Sequence, residues 1–137
     1  MPTRIAQEVV DMLDQFAPHT TLPASDIERA KAWYKDRLGL TPKSEDPGGA
    51  WYESGGASFS VYPTSYPISC QTTQMEWPVE DIRGVVDDLK GRGVTFEHYD
   101  IEGMEWDGDV AGMGPYKGAW FKDSEGNTLA LTERLDS

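Results

Sequence analysis

Few side chains in this sequence can move a proton near neutral pH. The sensible candidates are the two histidines, His19 and His98, and the carboxylates Glu76 and Asp100. In an apolar site Glu76 or a histidine would act as a general acid or base. His98 and Asp100 share a strand face, which exposed edge positions explain equally well. No Ser-His-Asp spacing, cysteine nucleophile or phosphate-cradling glycine loop accompanies them, and Gly48-Gly49 and Gly55-Gly56 read as turns.

Aromatic side chains are the other chemical resource. With five Trp and six Tyr, the chain can stack on planar or cationic ligands as well as fill a core. Trp33, Trp51 and Trp77 are assigned to the core, whereas Trp106, Trp120 and Tyr116 are the better pocket candidates. The Gly-rich segment 103–116 carries Met104, Trp106 and Met113. It reads as a long loop serving as a ligand lid, the alternative being a plain connection.

The elements that must position these groups occur twice. Asp26-Ile-Glu-Arg-Ala-Lys-Ala-Trp-Tyr-Lys-Asp-Arg-Leu-Gly39 returns loosely as Asp81-Ile-Arg-Gly-Val-Val-Asp-Asp-Leu-Lys-Gly-Arg-Gly93. The hairpin around Gly55-Gly56 matches the one around Gly126-Asn127, pairing Trp51 with Phe121 and Ser60 with Ala130. Each half reads as a βαβββ unit. The first has strands His19–Pro23, Leu40–Ser44, Ala50–Ser54 and Ala57–Pro63 with a helix Asp26–Leu38, capped by Ser25 or Asp26 and closed by Gly39. The second has strands Gln74–Val79 and Val94–Asp100, a helix Asp81–Arg92 and the final hairpin. Ile5, Val9, Met12, Leu13 and Phe16 fall at helical spacing, and Pro18 ends that run. The division is therefore an N-terminal helix, 1–18, and one domain, 19–133, of two modules, 19–66 and 74–133.

Composition bounds the function. No apolar run approaches the roughly 18–20 residues a membrane span needs, and the start lacks a signal-peptide layout. One cysteine, Cys70, excludes an internal disulfide and fits a reducing compartment, so the expected location is cytoplasmic. A net charge of −12 argues against nucleic acid and anionic membrane, and favours a cationic ligand or simple solubility.

Three stretches in order carry a resemblance: Asp26-x-x-x-Ala-x-x-Trp-Tyr-x-x-x-Leu-Gly-Leu, Val79-Glu-Asp-Ile-x-x-x-Val-x-x-Leu-x-x-x-Gly-Val, and Trp120-Phe-Lys-Asp-Ser-Glu-Gly-Asn-Thr-Leu-Ala-Leu. The chain resembles the vicinal-oxygen-chelate superfamily, which includes glyoxalase I, bleomycin-resistance proteins, fosfomycin-resistance enzymes and extradiol dioxygenases. The resemblance implies an α+β fold in which two tandem βαβββ modules form a half-open curled sheet around a cavity. It also implies a homodimer.

Metal-dependent members place one ligand on the first strand and one on the last strand of each module. Those positions fall on His19 and Gln74, and on Ser60 and Ala130. Serine and alanine offer no carboxylate, and one histidine with one amide falls short of about three good donors. A non-standard divalent site would use His19, Gln74 and Glu76, so no cofactor is expected. His19 reads as a surviving ligand, a general base, or a hydrogen-bonded residue of the fold. By strand alternation His19, Thr21, Ser60, Tyr62, Gln74, Glu76, Ala130 and Thr132 line the cavity.

The expected catalytic residues are Glu76 and His19. The expected ligand-binding residues are Ser60, Tyr62, Gln74, Trp106, Met113, Tyr116 and Trp120. The leading function is metal-independent sequestration of an aromatic or cationic metabolite, as in bleomycin-resistance proteins. The alternatives are a glyoxalase- or dioxygenase-like metalloenzyme with an atypical site, and a metal-free isomerase, cyclase or lyase.

Overall fold

The computed structural model describes residues 13–66 and 72–135. The helix expected at the N-terminus lies outside the described residues, except for an exposed 3-10 turn at Leu13–Gln15. Among the described residues no helix is long and apolar enough to cross a membrane.

The first half runs β1 (Thr20–Ala24), α1 (Ile27–Trp33), β2 (Ser44–Asp46), β3 (Gly49–Ser54) and β4 (Ala57–Pro63). The sheet order is β1-β4-β3-β2, with β1 parallel to β4, so α1 supplies the crossover that a parallel pair requires. Asp26 caps α1 by accepting the Arg29 N–H. The helix widens into a π-turn at Tyr34–Leu38 and ends on Gly39 in the left-handed conformation. The second half runs β5 (Met75–Pro78), α2 (Ile82–Gly91), β6 (Phe96–Glu97), β7 (Glu105–Asp107), β8 (Val110–Met113), β9 (Tyr116–Lys122) and β10 (Thr128–Arg134). Its order is β5-β10-β9-β8-β7, with β6 also pairing to β9, and Asp81 caps α2 through the Gly84 N–H. The result is the expected α+β pair of βαβββ modules with unclosed sheets.

Two expectations change in the second module. The strand expected over Val94–Asp100 is only Phe96–Glu97. The expected lid loop is largely a hairpin, β7–β8, paired to β9 with Val110 and Ala111 buried. Its glycines mark ordered positions: Gly108 turns the hairpin at φ 65°, and Gly112 pairs with Glu105.

One core joins both modules. Leu22, Tyr34, Tyr52, Phe59 and Val61 share it with Ile82, Val86, Phe121, Leu129 and Leu131. Trp33 stacks on Phe121 at 6.3 Å, and Trp77 stacks on Phe121 at 6.4 Å while meeting Phe59 edge-on at 6.5 Å, as expected for core tryptophans. Each hairpin tip also docks on the other module. Ser54 Oγ accepts the Trp77 indole N–H at 3.2 Å. The β9–β10 turn answers with Asp123, which accepts the Tyr34 hydroxyl at 2.7 Å, and Glu125, which meets the start of α1.

Glu125 has no exposed side-chain surface, yet it stays charged. Burial alone would raise its carboxyl. Donation from Arg29 (2.7 and 3.0 Å), the Asp26 N–H (3.0 Å), Ser124 (2.9 Å) and Ser25 (3.1 Å) outweighs that and holds it at about 2. Its folded value lies below the ordinary 4.5, so its stabilisation is complete above 4.5 and is lost as pH falls toward 2. Replacing Glu125 by Gln should cost roughly 2 kcal/mol at neutral pH and flatten this acid limb, which urea unfolding from pH 7 to 2.5 would show. Gly49 supports a second prediction. Its φ of 139° is strained for any other residue, and an added Cβ would collide with the Val61 carbonyl oxygen. Gly49→Ala should lower the melting temperature by several degrees, whereas Gly55→Ala, strained but in open space, should lower it less.

Candidate functional site

Strand pairing lays matching rows across the two sheets. In the first, Thr21 pairs with Ser60, and Ser60 with Trp51. In the second, Glu76 pairs with Ala130, Ala130 with Trp120, and Trp120 with Glu97. Trp51 therefore corresponds to Trp120 and not to Phe121. The sequence match misses this because the second turn, through Asp123–Asn127, is longer than Gly55-Gly56, which shifts β9 by one position. Phe121 faces the core. Trp51, assigned to the core from sequence, is half-buried, and the exposed His19 ring packs on it at 4.8 Å.

The metal-site positions can be inspected in this frame. Ser60 and Ala130 sit beside Trp51 and Trp120, 4% and 1% exposed, and neither is a useful ligand. Gln74 spends its amide on the second hairpin: Nε2 donates to Asn127 Oδ1 and Oε1 accepts the Thr128 N–H, both at 2.9 Å. Glu76 is exposed and accepts the Thr132 hydroxyl at 3.0 Å. His19, expected to begin the first strand, instead precedes β1 of the other sheet. Among the described residues no three His, Cys, Asp or Glu side chains converge. This donor set does not fit the divalent metal that the resemblance brings with it.

The residues that do converge come from an asymmetry between the modules. The first joins β2 to β3 by the tight turn Pro47-Gly48, whereas the second places residues 98–115 between β6 and β9. That insertion folds back over Trp120. Trp106 meets it edge-on at 6.1 Å and Tyr99 at 5.8 Å. Trp120 Nε1 donates to Thr73 Oγ1 at 3.1 Å, and Trp106 Nε1 to the Tyr99 carbonyl at 3.2 Å, which fixes both indoles. The Tyr99 hydroxyl donates to Glu97 at 2.7 Å. Burial, reinforced by that carboxylate, pushes the phenol up to about 12, so it remains a donor at neutral pH.

Gly118 lies beneath this group. A Cβ there would approach Met113 Cε at 2.8 Å and Trp120 Cη2 at 2.9 Å. One hollow of about 310 Å³ is walled by Thr72, Thr73, Tyr99, Ile101, Met104 and Trp120. A second, of about 410 Å³, shares Tyr99, Ile101 and Met104 and adds His98, Asp100 and Trp106.

Of the expected ligand-binding residues, the structure brings Trp106, Met113 and Trp120 together. Tyr116 lies on the same face of β9 but is exposed, with the Arg134 guanidinium 5.5 Å from its ring centre. Ser60 and the exposed Tyr62 belong to the first sheet, and Gln74 serves the hairpin. Sequence reasoning missed Tyr99, Ile101 and Thr73. The sequence pattern places Tyr99 and Ile101 at the end of a regular strand and its flank, although their apolar character in an acidic, Gly-rich stretch is a usable signal.

Residues 17–131 match the Glyoxalase/Bleomycin resistance protein/Dioxygenase superfamily. Among curated proteins none matches the sequence. The fold is similar to that of a glyoxalase family protein from Enterococcus faecalis, at TM-score 0.65 and 21% identity, covering 89% of this chain and 100% of that one. It is also similar to a glyoxalase/bleomycin resistance protein/dioxygenase from Alicyclobacillus acidocaldarius, at TM-score 0.65 and 19% identity, covering 88% and 92%. A third similar structure is a variant fosfomycin resistance protein from Listeria monocytogenes, complexed with Mn(II) and a dihydroxypropylphosphonic acid. It has TM-score 0.62 and 11% identity, and the coverage is 89% and 90%. The doubled βαβββ architecture and the match over residues 17–131 together make this chain a member of the Glyoxalase/Bleomycin resistance protein/Dioxygenase superfamily.

Proposed function

We propose that this protein binds a planar aromatic, preferentially cationic small molecule at the insertion of its second module, without a metal. The observation that carries the reading is the Trp120–Trp106–Tyr99 cluster bordering two open hollows. Both indoles have their N–H groups satisfied within the protein, so what they offer a ligand is ring surface. Ile101 and Met104 add apolar, adaptable walls. Asp100 at the second hollow and the overall charge of −12 favour a cation over an anion.

The superfamily's metal chemistry is not assigned to this chain, because its donor positions carry serine, alanine and a committed glutamine amide. Glu76 and His19 remain candidates for contact with a ligand, but Glu76 is on β5 of the second sheet and His19 precedes β1 of the first, and among the described residues no cluster of three His, Cys, Asp or Glu side chains forms. We take the working unit to be a homodimer. The exposed ring of Tyr62 on β4 supports an interface on the open face of the first sheet.

Tryptophan fluorescence and calorimetry with N-methylquinolinium as the probe test the binding reading. The probe should quench the protein, and Trp120→Ala should weaken binding about tenfold. Gly118→Ala, which displaces the Trp120 ring, should weaken it in the same direction. Undiminished binding in Trp120→Ala would sink the assignment. The metal reading is tested separately: chelator-stripped protein titrated with Zn²⁺, Ni²⁺ or Mn²⁺ should show no stoichiometric binding. Stoichiometric binding that disappears in His19→Ala would point instead to a metalloenzyme with an atypical site.

A further inference from the structure

The insertion holds one polar group that platform stacking does not use. His98 follows β6 directly, is half exposed, and lines the larger hollow with Asp100, Met104 and Trp106. Its ring lies flat on Trp106, with centroids 4.6 Å apart and planes 17° from parallel. Its Nε2 is 2.7 Å from Asp109 Oδ1 in the β7–β8 turn. Asp109 is in turn held by Lys90 Nζ from α2 at 2.6 Å. Lys90 and then His98 keep the Asp109 carboxyl below its ordinary range, so it is an ionised acceptor at neutral pH.

An imidazole whose one nitrogen donates to a carboxylate has its tautomer set, and in the neutral ring the other nitrogen keeps its lone pair. Here that nitrogen is Nδ1, for which no hydrogen bond is found among the described residues. Stacking fixes the plane of the ring and the Asp109–Lys90 pair fixes its rotation, so the lone pair has one direction. The other residues lining this hollow are Tyr99, Asp100, Ile101, Met104 and Trp106.

We infer that His98 selects the ligand by accepting a hydrogen bond at Nδ1, so that the preferred ligands are aromatic compounds carrying an O–H or N–H on the ring edge. Asp109 and Lys90 act as positioning residues that hold the acceptor. This rests on the insertion being the ligand site, and it narrows the ligand class from any flat ring to phenols, anilines and N–H heterocycles. An acceptor aimed along a ring plane rewards a donor at the edge of a stacked ligand and gives nothing to its capped analogue.

The test compares 2-naphthol with 2-methoxynaphthalene, a pair differing in the capped hydroxyl. Affinities are read by NMR titration of the indole N–H signals, with long-range proton–nitrogen spectra reporting the His98 tautomer. The naphthol should bind roughly five- to tenfold more tightly. His98→Phe keeps a flat ring on Trp106 and should equalise the two probes while retaining the methoxy compound. Asp109→Asn should shift the His98 nitrogen signals toward a tautomer mixture and shrink the preference. Equal affinities in the unmodified protein, or a preference surviving in His98→Phe, would overturn the role of His98 and leave the aromatic platform standing. If neither probe moves the Trp106 and Trp120 signals, the insertion is not a ligand site and both readings fall.

Discussion

The β9–β10 turn is the constraint on which the rest of the molecule depends. Asp123 accepts the N–H groups of Glu125 and Asn127 and the Asn127 side-chain amide, which closes the turn, and it accepts the Tyr34 hydroxyl, which ties the turn to α1. Asn127 extends the tie by donating to the Pro23 carbonyl and accepting from Gln74. Glu125 closes it with a bidentate contact to Arg29. Buried polar groups are costly unless every one is paired, so this network tolerates few alternative dockings of the two modules. It also sets the length of the turn, and through it the register that brings Trp120 to the open side of the sheet.

That register gives the site its logic. A doubled module would present two equivalent faces, and the rows Thr21–Ser60–Trp51 and Glu76–Ala130–Trp120 are such a pair. The equivalence is broken at one place, where Pro47-Gly48 in one module faces residues 98–115 in the other. Among the described residues Trp120 gains an edge-on Trp and Tyr, while Trp51 keeps a histidine. Trp106 comes from the β7–β8 hairpin and Tyr99 from the segment that leads into it. That hairpin is anchored at both ends: β8 pairs with β9, and the β7–β8 segment reaches α2 through Arg83–Asp107 and Lys90–Asp109. On the proposed reading, a surface braced by an anchored hairpin would lose less entropy on meeting a ligand than the free lid that the glycines suggested.

Much of this was legible in the chain because it rests on local chemistry. The cap at Asp26, the start of the second helix at Asp81, the left-handed Gly39 and the alternation that separates Ser60 from Phe59 and Val61 each depend on a few neighbouring residues. The core roles of Trp33 and Trp77 followed from the same patterns. What stayed hidden depends on distant partners. The burial of Glu125 needs Arg29 from the other module, and the partners of His98 are in a turn and a helix. The exposure of Trp51 is invisible without knowing that the second turn moves its counterpart. Gly108 and Gly112 misled because a glycine signals permission to turn and not whether the flanking residues pair.

The metal positions and the aromatic cluster are connected by steric and electrostatic reasoning. A divalent ion at the centre of the floor needs carboxylates on the last strands, and its charge would oppose a cationic ring nearby. With Ser60 and Ala130 in those places the last strands bring no carboxylate to the floor and pack closely beside Trp51 and Trp120, while Glu76 is exposed at its edge. Several negative groups sit around the insertion: Glu97 with Tyr99 and Lys122, Asp100 at the hollow, and Asp109 with His98 and Lys90. That arrangement of carboxylates around stacked rings is the physical basis of the proposal that the chain binds an intact organic molecule.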